Sequence, residues 1–318
     1  MATKAAKKPA AKTKLTAKDF DIIPSEKGFL GISKKEAASF EKAKVVVIPF
    51  GLESSVSYGG GTAKGPQAMI TASHQVELFD ENYWCEPFRE FGVLTLKEPK
   101  ISKDVKKEID NLDKITQKVM DAGKFPFIFG GEHSITAGCI RPFTRKYKNL
   151  AILHFDAHAD LRDGYGGEHY SHAAALRRVL DNKEVTTLIS VGIRNISQSE
   201  IPFLEANKKR ITIHWGKDRA KWDYKKIVEP LRGRDVYVTF DVDGFDGALM
   251  PATGTPEPGG VLWHDAMEII GEAAKISNFV GADVNELAPR KELHSCDFLA
   301  AKLAYRIMSF AFLGKKRK

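Results

Sequence analysis

The chain has 318 residues, 43% of them hydrophobic and 28% charged, a balance that allows a large buried core and excludes a wholly disordered or fibrous protein. Its formal net charge of +8 points to a polyanion partner only until the charges are located: ten of the 49 basic residues lie in 1–18 and 315–318, which leaves 39 against 41 acidic ones. The near-neutral body argues against a nucleic-acid-associated scaffold, whose binding would reside in the tails and fall steeply with salt.

In chain order, residues 1–20 come first, rich in Ala, Lys and Pro, with Lys4, Lys7, Lys8, Lys12, Lys14 and Lys18 and no acid before Asp19. Such a stretch cannot bury enough apolar surface to order itself, so a solvated, disordered basic tail is expected. The absence of arginine speaks against a transit peptide. No apolar signal core follows Met1, and no run approaches the ~20 residues that span a bilayer. Cys85, Cys139 and Cys296 are odd in number and far apart. They fit neither a disulfide framework nor a CxxC metal site, and a reducing cytoplasm is the expected compartment.

Short apolar, β-branched runs then alternate with longer helical patterns. Strands are predicted at Lys44–Pro49, Phe91–Leu96, Phe125–Phe129, Leu150–Phe155, Thr187–Val191, Arg210–His214, Val236–Phe240 and Phe279–Ala282. Helices are predicted at Pro66–Leu78, Lys103–Ala122, Ser134–Lys146, His172–Asn182, Ser197–Asn207, Tyr224–Leu231, His264–Ala274 and Asp297–Phe310, with Ser134 and Ser197 as N-caps. The alternation means βαβ units and a parallel sheet buried on both faces, since the strands are apolar throughout. Periodicity alone does not choose between a closed barrel and an open sheet. No repeat or interior linker divides the chain, so one domain over 21–314 is expected, followed by a second basic tail at 315–318.

Four of these strands run into acids and histidines, and in α/β sheets ligands gather beyond the carboxyl ends of strands. The segments are GGEHS (Gly130–Ser134), DAHAD (Asp156–Asp160), DVD (Asp241–Asp243), and Asp283 followed by Glu286. If DAHAD were extended, Asp156, His158 and Asp160 would face one point. Asp241 and Asp243 repeat the spacing, and two such close carboxylates repel unless a cation neutralises them. With His133 this makes six ligands, four of them carboxylates. That is too many for one structural zinc and suits two hard divalent ions, Mn²⁺ above all, with Fe, Co, Ni or Zn as alternatives.

At these residues the sequence resembles the ureohydrolases, the family of arginase and agmatinase. The resemblance covers most of the chain after residue 40 and includes SYGGGTAKGP (Ser57–Pro66), GGEHS, DAHAD, YSHAAALRRV (Tyr170–Val179) and DVDGFDGALMPATGTPEPGG (Asp241–Gly260). Glu132 departs from the commoner Asp, and Gly247 from the commoner Pro. The resemblance implies an arginase-like three-layer α/β/α sandwich with a mainly parallel eight-stranded sheet, assembled into trimers or hexamers. It further implies two Mn²⁺, one held by His133 and Asp160, the other by His158 and Asp243, with Asp156 and Asp241 bridging both. His172 matches the family's proton-shuttling histidine, and Glu286 the carboxylate that receives the guanidinium.

The implied reaction is hydrolysis of a guanidino compound to urea and an amine, with a histidine titrating near neutrality to protonate the leaving group. The loop between Asp160 and His172 (LRDGYGGEHYS) holds Asp163 and Glu168 against Arg162, an acidic lean that suits a substrate with a second cation. Agmatine, giving putrescine, is therefore favoured over guanidinobutyrate, guanidine, arginine or formiminoglutamate. A deacetylase-like amidohydrolase of the same fold is the alternative, but it uses one Zn²⁺ and would not need six ligands. His154, inside an apolar strand, is read as a core residue; His169, in the substrate loop, is read equally as packing or as lining the entrance.

Overall fold

The computed structural model describes residues 15–316, so positions 1–14 and 317–318, where most of the two expected tails fall, lie outside the described residues. Residues 15–20 are well engaged: Thr16 caps the 3-10 turn Ala17–Asp19, and the Phe20 ring lies 5.4 Å from that of Phe40. Eight strands follow: β1 Val45–Phe50, β2 Val93–Thr95, β3 Phe125–Gly130, β4 Leu150–Phe155, β5 Val185–Ile193, β6 Ile211–Trp215, β7 Asp235–Asp241 and β8 Asn278–Asn285. They form one open sheet in the order β2-β1-β3-β8-β7-β4-β5-β6, and each pairing is parallel.

Successive side chains of a strand point to opposite faces, and the core divides accordingly. Ala151, Leu153 and Phe155 of β4 pack with the helices Gly65–Ser73, Trp263–Ile276 and His294–Leu313. Leu150 and Ile152 pack with Val105–Asp121 and the segments around Phe143 and Leu176. Helices on both faces of a parallel sheet make the three-layer α/β/α sandwich of the arginase-like fold, and the barrel alternative falls away.

All eight expected strands are present, but several helices are more broken than periodicity suggested. The expected helix Ser134–Lys146 is a 3-10 turn His133–Ile135 followed by Thr136–Cys139 and Arg141–Lys146. Pro142 has no N–H to continue the ladder. Ser134 is not an N-cap: it lies within the 3-10 turn, and its hydroxyl donates to Glu132 at 2.6 Å. Ser197 does cap, in a reciprocal box with Glu200. A short helix, Phe88–Phe91, takes the start of the expected second strand, which shrinks to Val93–Thr95.

Candidate metal centre and active site

Register places the site. Phe155 of β4 pairs with Phe240 of β7, so Asp156 and Asp241 leave the sheet side by side. Asp241 in turn pairs with Asn285, which sets Glu286 next to it, and Phe129 of β3 pairs with Val284. The four strands carrying the motifs, β3, β8, β7 and β4, are thus neighbours at the centre of the sheet. Glycine is required at the β3 exit, where a Cβ on Gly131 would lie 2.1 Å from the Leu52 carbonyl oxygen.

His133 Nδ1 lies 3.1 Å from Asp156 Oδ2, 3.2 Å from Asp160 Oδ2 and 3.3 Å from Asp241 Oδ2, yet makes no hydrogen bond. His158 Nδ1 lies 3.1 Å from Asp243 Oδ2 and 3.5 Å from Asp156 Oδ1. The six expected ligands are therefore brought together in two groupings that share Asp156. The route differs from the extended stretch imagined for DAHAD. β4 ends at Phe155, and Asp160 reaches the cluster from a left-handed backbone at φ 53°.

Hydrogen-bond bookkeeping fits a cation beside His133. Thr239 Oγ1 donates to Asp283 Oδ1 at 2.5 Å, so its 2.9 Å contact with His133 Nε2 uses it as acceptor. Nε2 then carries the proton and Nδ1 presents a lone pair to three carboxylate oxygens, the second-sphere pattern of metal-bound histidine. Electrostatics agree. Burial, then Asp156, pushes Asp160 up to about 7; burial, then Asp243, holds Asp241 well above the carboxylate range. Burial works against a charged His158, but Asp243 and Asp156 push it up to about 12. Asp160 and Asp241 therefore hold protons unless cations replace them, whereas Asp156, despite its burial, is held well below the carboxylate range by His133, His154 and His158.

Two residues to which sequence reasoning gave no role at the site support it. His154, read as core, sits with Nε2 2.9 Å from Asp156 Oδ2 and Nδ1 3.0 Å from Ser190 Oγ. Asp283 is buried inside β8, where the hydroxyls of Thr239, Tyr237 and Thr136 converge on it. The signal was available in the alternation, since 154 and 156, or 239 and 241, share a side of their strands.

A cavity of about 340 Å³ opens over these groups, and His172 and Glu286 both line it. Glu286 adopts φ 66°, and its Oε1 accepts the His133 N–H at 2.7 Å. Burial, then Glu132 among the charges, keeps the Glu286 carboxyl well above its ordinary range. The His172 ring is held by Ser57 Oγ, 2.8 Å from Nε2, and Ser55 Oγ, 3.2 Å from Nδ1. Burial above all pushes it down to about 4, so the resting imidazole is neutral rather than poised near pH 7.

The acidic rim read from the loop after Asp160 is not what the cavity meets. Asp163 is paired with Arg178 at 2.6 Å and Glu168 accepts the Tyr170 N–H at 2.9 Å, whereas Arg162 and Tyr165 line the cavity. His169 lies 2.5 Å from Arg178 Nη1 and does not line the cavity.

An α/β/α sandwich that gathers histidines and carboxylates at the carboxyl edge of a parallel sheet, beneath a small polar cavity, defines a hydrolase class. The chain belongs to the arginase family, whose profile matches residues 43–309. It is 32% identical over 298 residues to the N(1)-aminopropylagmatine ureohydrolase of Synechocystis sp., covering 90% of this chain and 95% of that one. Agmatinase of Bacillus anthracis is 33% identical over 273 residues, covering 85% and 91% of the two chains. The solved agmatine ureohydrolase of Thermoplasma volcanium superposes with a TM-score of 0.79 at 30% identity, over 90% of this chain and 94% of that one. The protein is thus a ureohydrolase-type enzyme, a hydrolase of guanidino compounds.

Proposed function

We propose that the protein hydrolyses agmatine to putrescine and urea with two Mn²⁺ per chain. His133 and Asp160 would hold one ion, His158 and Asp243 the other, and Asp156 and Asp241 both. When bound, the pair supplies Lewis acidity and a hydroxide at neutral pH. The observation that carries this reading is Asp156, whose two oxygens face two different histidines, Oδ2 toward His133 and Oδ1 toward His158.

The chain's own groups complete the reading. Glu286 uses Oε1 for the His133 N–H, which leaves Oε2 to pair with a guanidinium N–H. A neutral His172 accepts a proton first and then hands it to the leaving amine. Agmatine is supported by the names of the relatives rather than by an acidic rim. A second reading, aminopropylagmatine, is favoured by the Synechocystis relative and by Tyr58 in the lining, 86% exposed and able to lie along a longer polyamine. A cytoplasmic setting, consistent with three cysteines outside any disulfide, and assembly into trimers or hexamers belong to the same reading. Among the described residues no helix is long and apolar enough to cross a membrane.

Urea release from agmatine, aminopropylagmatine, guanidinobutyrate and arginine, with Mn²⁺ added, tests this. The highest kcat/KM is expected for agmatine. Preference for aminopropylagmatine would select the second reading, and a preference for the carboxylate-bearing compounds would refute both.

A further inference from the structure

Glu132 is fully buried and, apart from its charge near Glu286, has no part in the reading above. Its two oxygens take four donors. Oε2 accepts the N–H groups of Ser54 and Ser55 at 2.6 and 2.7 Å, and Oε1 accepts the hydroxyls of Ser55 and Ser134 at 2.9 and 2.6 Å. Ser55 Oγ also accepts the His172 backbone N–H at 3.0 Å and lies 3.2 Å from His172 Nδ1.

A serine hydroxyl has one proton to give. The carboxylate is nearer than the imidazole, and charge-assisted bonds are about twice as strong as neutral ones, so the proton goes to Glu132. Ser55 Oγ can then meet Nδ1 only as an acceptor, which requires Nδ1–H. Ser57 Oγ, 2.8 Å from Nε2, is left to donate. Ser171 Oγ stands farther from Nδ1, at 3.4 Å, and does not displace Ser55.

We propose that Glu132, acting through Ser55, is a positioning residue that fixes His172 as the Nδ1–H tautomer and leaves Nε2 as the nitrogen that takes up a proton. Its consequence for turnover rests on the reading of His172 as proton carrier; the tautomer itself does not. The nitrogen that faces Ser57 is then the basic one: it takes up the proton and gives the same proton back, while Nδ1–H stays bonded to Ser55.

Glu132→Gln reverses the logic. An amide NH₂ cannot face two backbone N–H groups, so the amide oxygen turns to Ser54 and Ser55 N–H and the NH₂ to the hydroxyls. Ser55 then accepts from the amide, and its freed proton goes to His172 Nδ1. The experiment is a two-bond ¹H–¹⁵N correlation on metal-free, ¹⁵N-histidine-labelled full chain, with His172 identified by its loss in His172→Asn. The wild type is expected to show a protonated Nδ1 and a bare Nε2, and Glu132→Gln the exchanged pattern. Ser55→Ala, which removes the acceptor and leaves the buried carboxylate charged with three of its four donors, gives Nε2–H as well, bonded to Ser57. In Mn²⁺-loaded protein, Glu132→Gln lowers kcat about 10- to 100-fold with metal content unchanged. A wild-type Nε2–H tautomer, or an unchanged pattern in both variants, overturns the proposal. The expected tautomers together with full urea release by His172→Asn would uphold the positioning and refute the proton-carrier reading.

Discussion

His154 Nε2 lies 2.9 Å from Asp156 Oδ2, and that same oxygen lies 3.1 Å from His133 Nδ1. One carboxylate oxygen is thus aimed from behind by a histidine that burial keeps neutral, with Ser190 fixing the ring at 3.0 Å. His154→Ala should weaken Mn²⁺ binding about 10- to 100-fold, the usual effect of losing such an outer partner. Calorimetric titration measures it, and an unchanged affinity would return His154 to plain core packing.

The sharing of Asp156 between the two histidine groupings makes a sharper distinction. Asp156→Ala should abolish tight binding of both ions, whereas Asp243→Ala, which faces only His158 among the histidines, should lose mainly one. Metal content after gel filtration, read by mass spectrometry, separates them. Two ions retained by Asp156→Ala would refute the shared role.

Where the sequence was legible, the reason is local. Buried parallel strands must be apolar on both faces, so AILHF and VYVTF read directly as β4 and β7, and the acids at their ends followed. What escaped depends on distant partners. Asp160 and Glu286 take left-handed φ values that no spacing rule foresees for non-glycine residues. His172 is held by Ser55 and Ser57, more than a hundred positions away, and its depressed pKa follows from burial rather than from residue type. The lean of the substrate loop misled because Asp163 spends its charge on Arg178.

Gly131 lies between the Leu52 carbonyl and the β8 exit, whose Glu286 N–H donates to the Gly131 carbonyl at 2.8 Å. Gly131→Ala should destabilise the fold by about 1–3 kcal/mol, the range for forced overpacking, and should weaken Mn²⁺ binding through displaced His133. Urea unfolding and metal titration on one preparation test both. Wild-type values for both would show that the close approach carries no constraint.

Asp265 gives the pH dependence away from the metals. Burial opposes its ionisation, but Tyr224, the Leu262 N–H and Arg219 together lower its pKa. A depressed carboxylate contributes stability that is full above its unfolded pKa, near 4, and is lost as pH falls through the lower folded value. Its hydrogen bond pushes Tyr224 up to about 12, so that contribution is full below about 10 and is lost as pH rises through the folded value. Asp265→Asn should therefore cost about 2 kcal/mol between pH 5 and 9. The gap from wild type should close toward pH 3. Urea denaturation at pH 7 and pH 3 reads it, and a gap independent of pH would contradict the assignment.

In the proposed reaction, water attacks the guanidino carbon of a guanidino amine and expels the alkyl amine. The decisive measurement is turnover of agmatine by the Mn²⁺-loaded protein in H₂¹⁸O, with the products analysed by mass spectrometry. The expected result is urea carrying one ¹⁸O and putrescine carrying none. Ammonia with N-carbamoylputrescine in place of urea, or no urea at all from any guanidino compound offered, would contradict it.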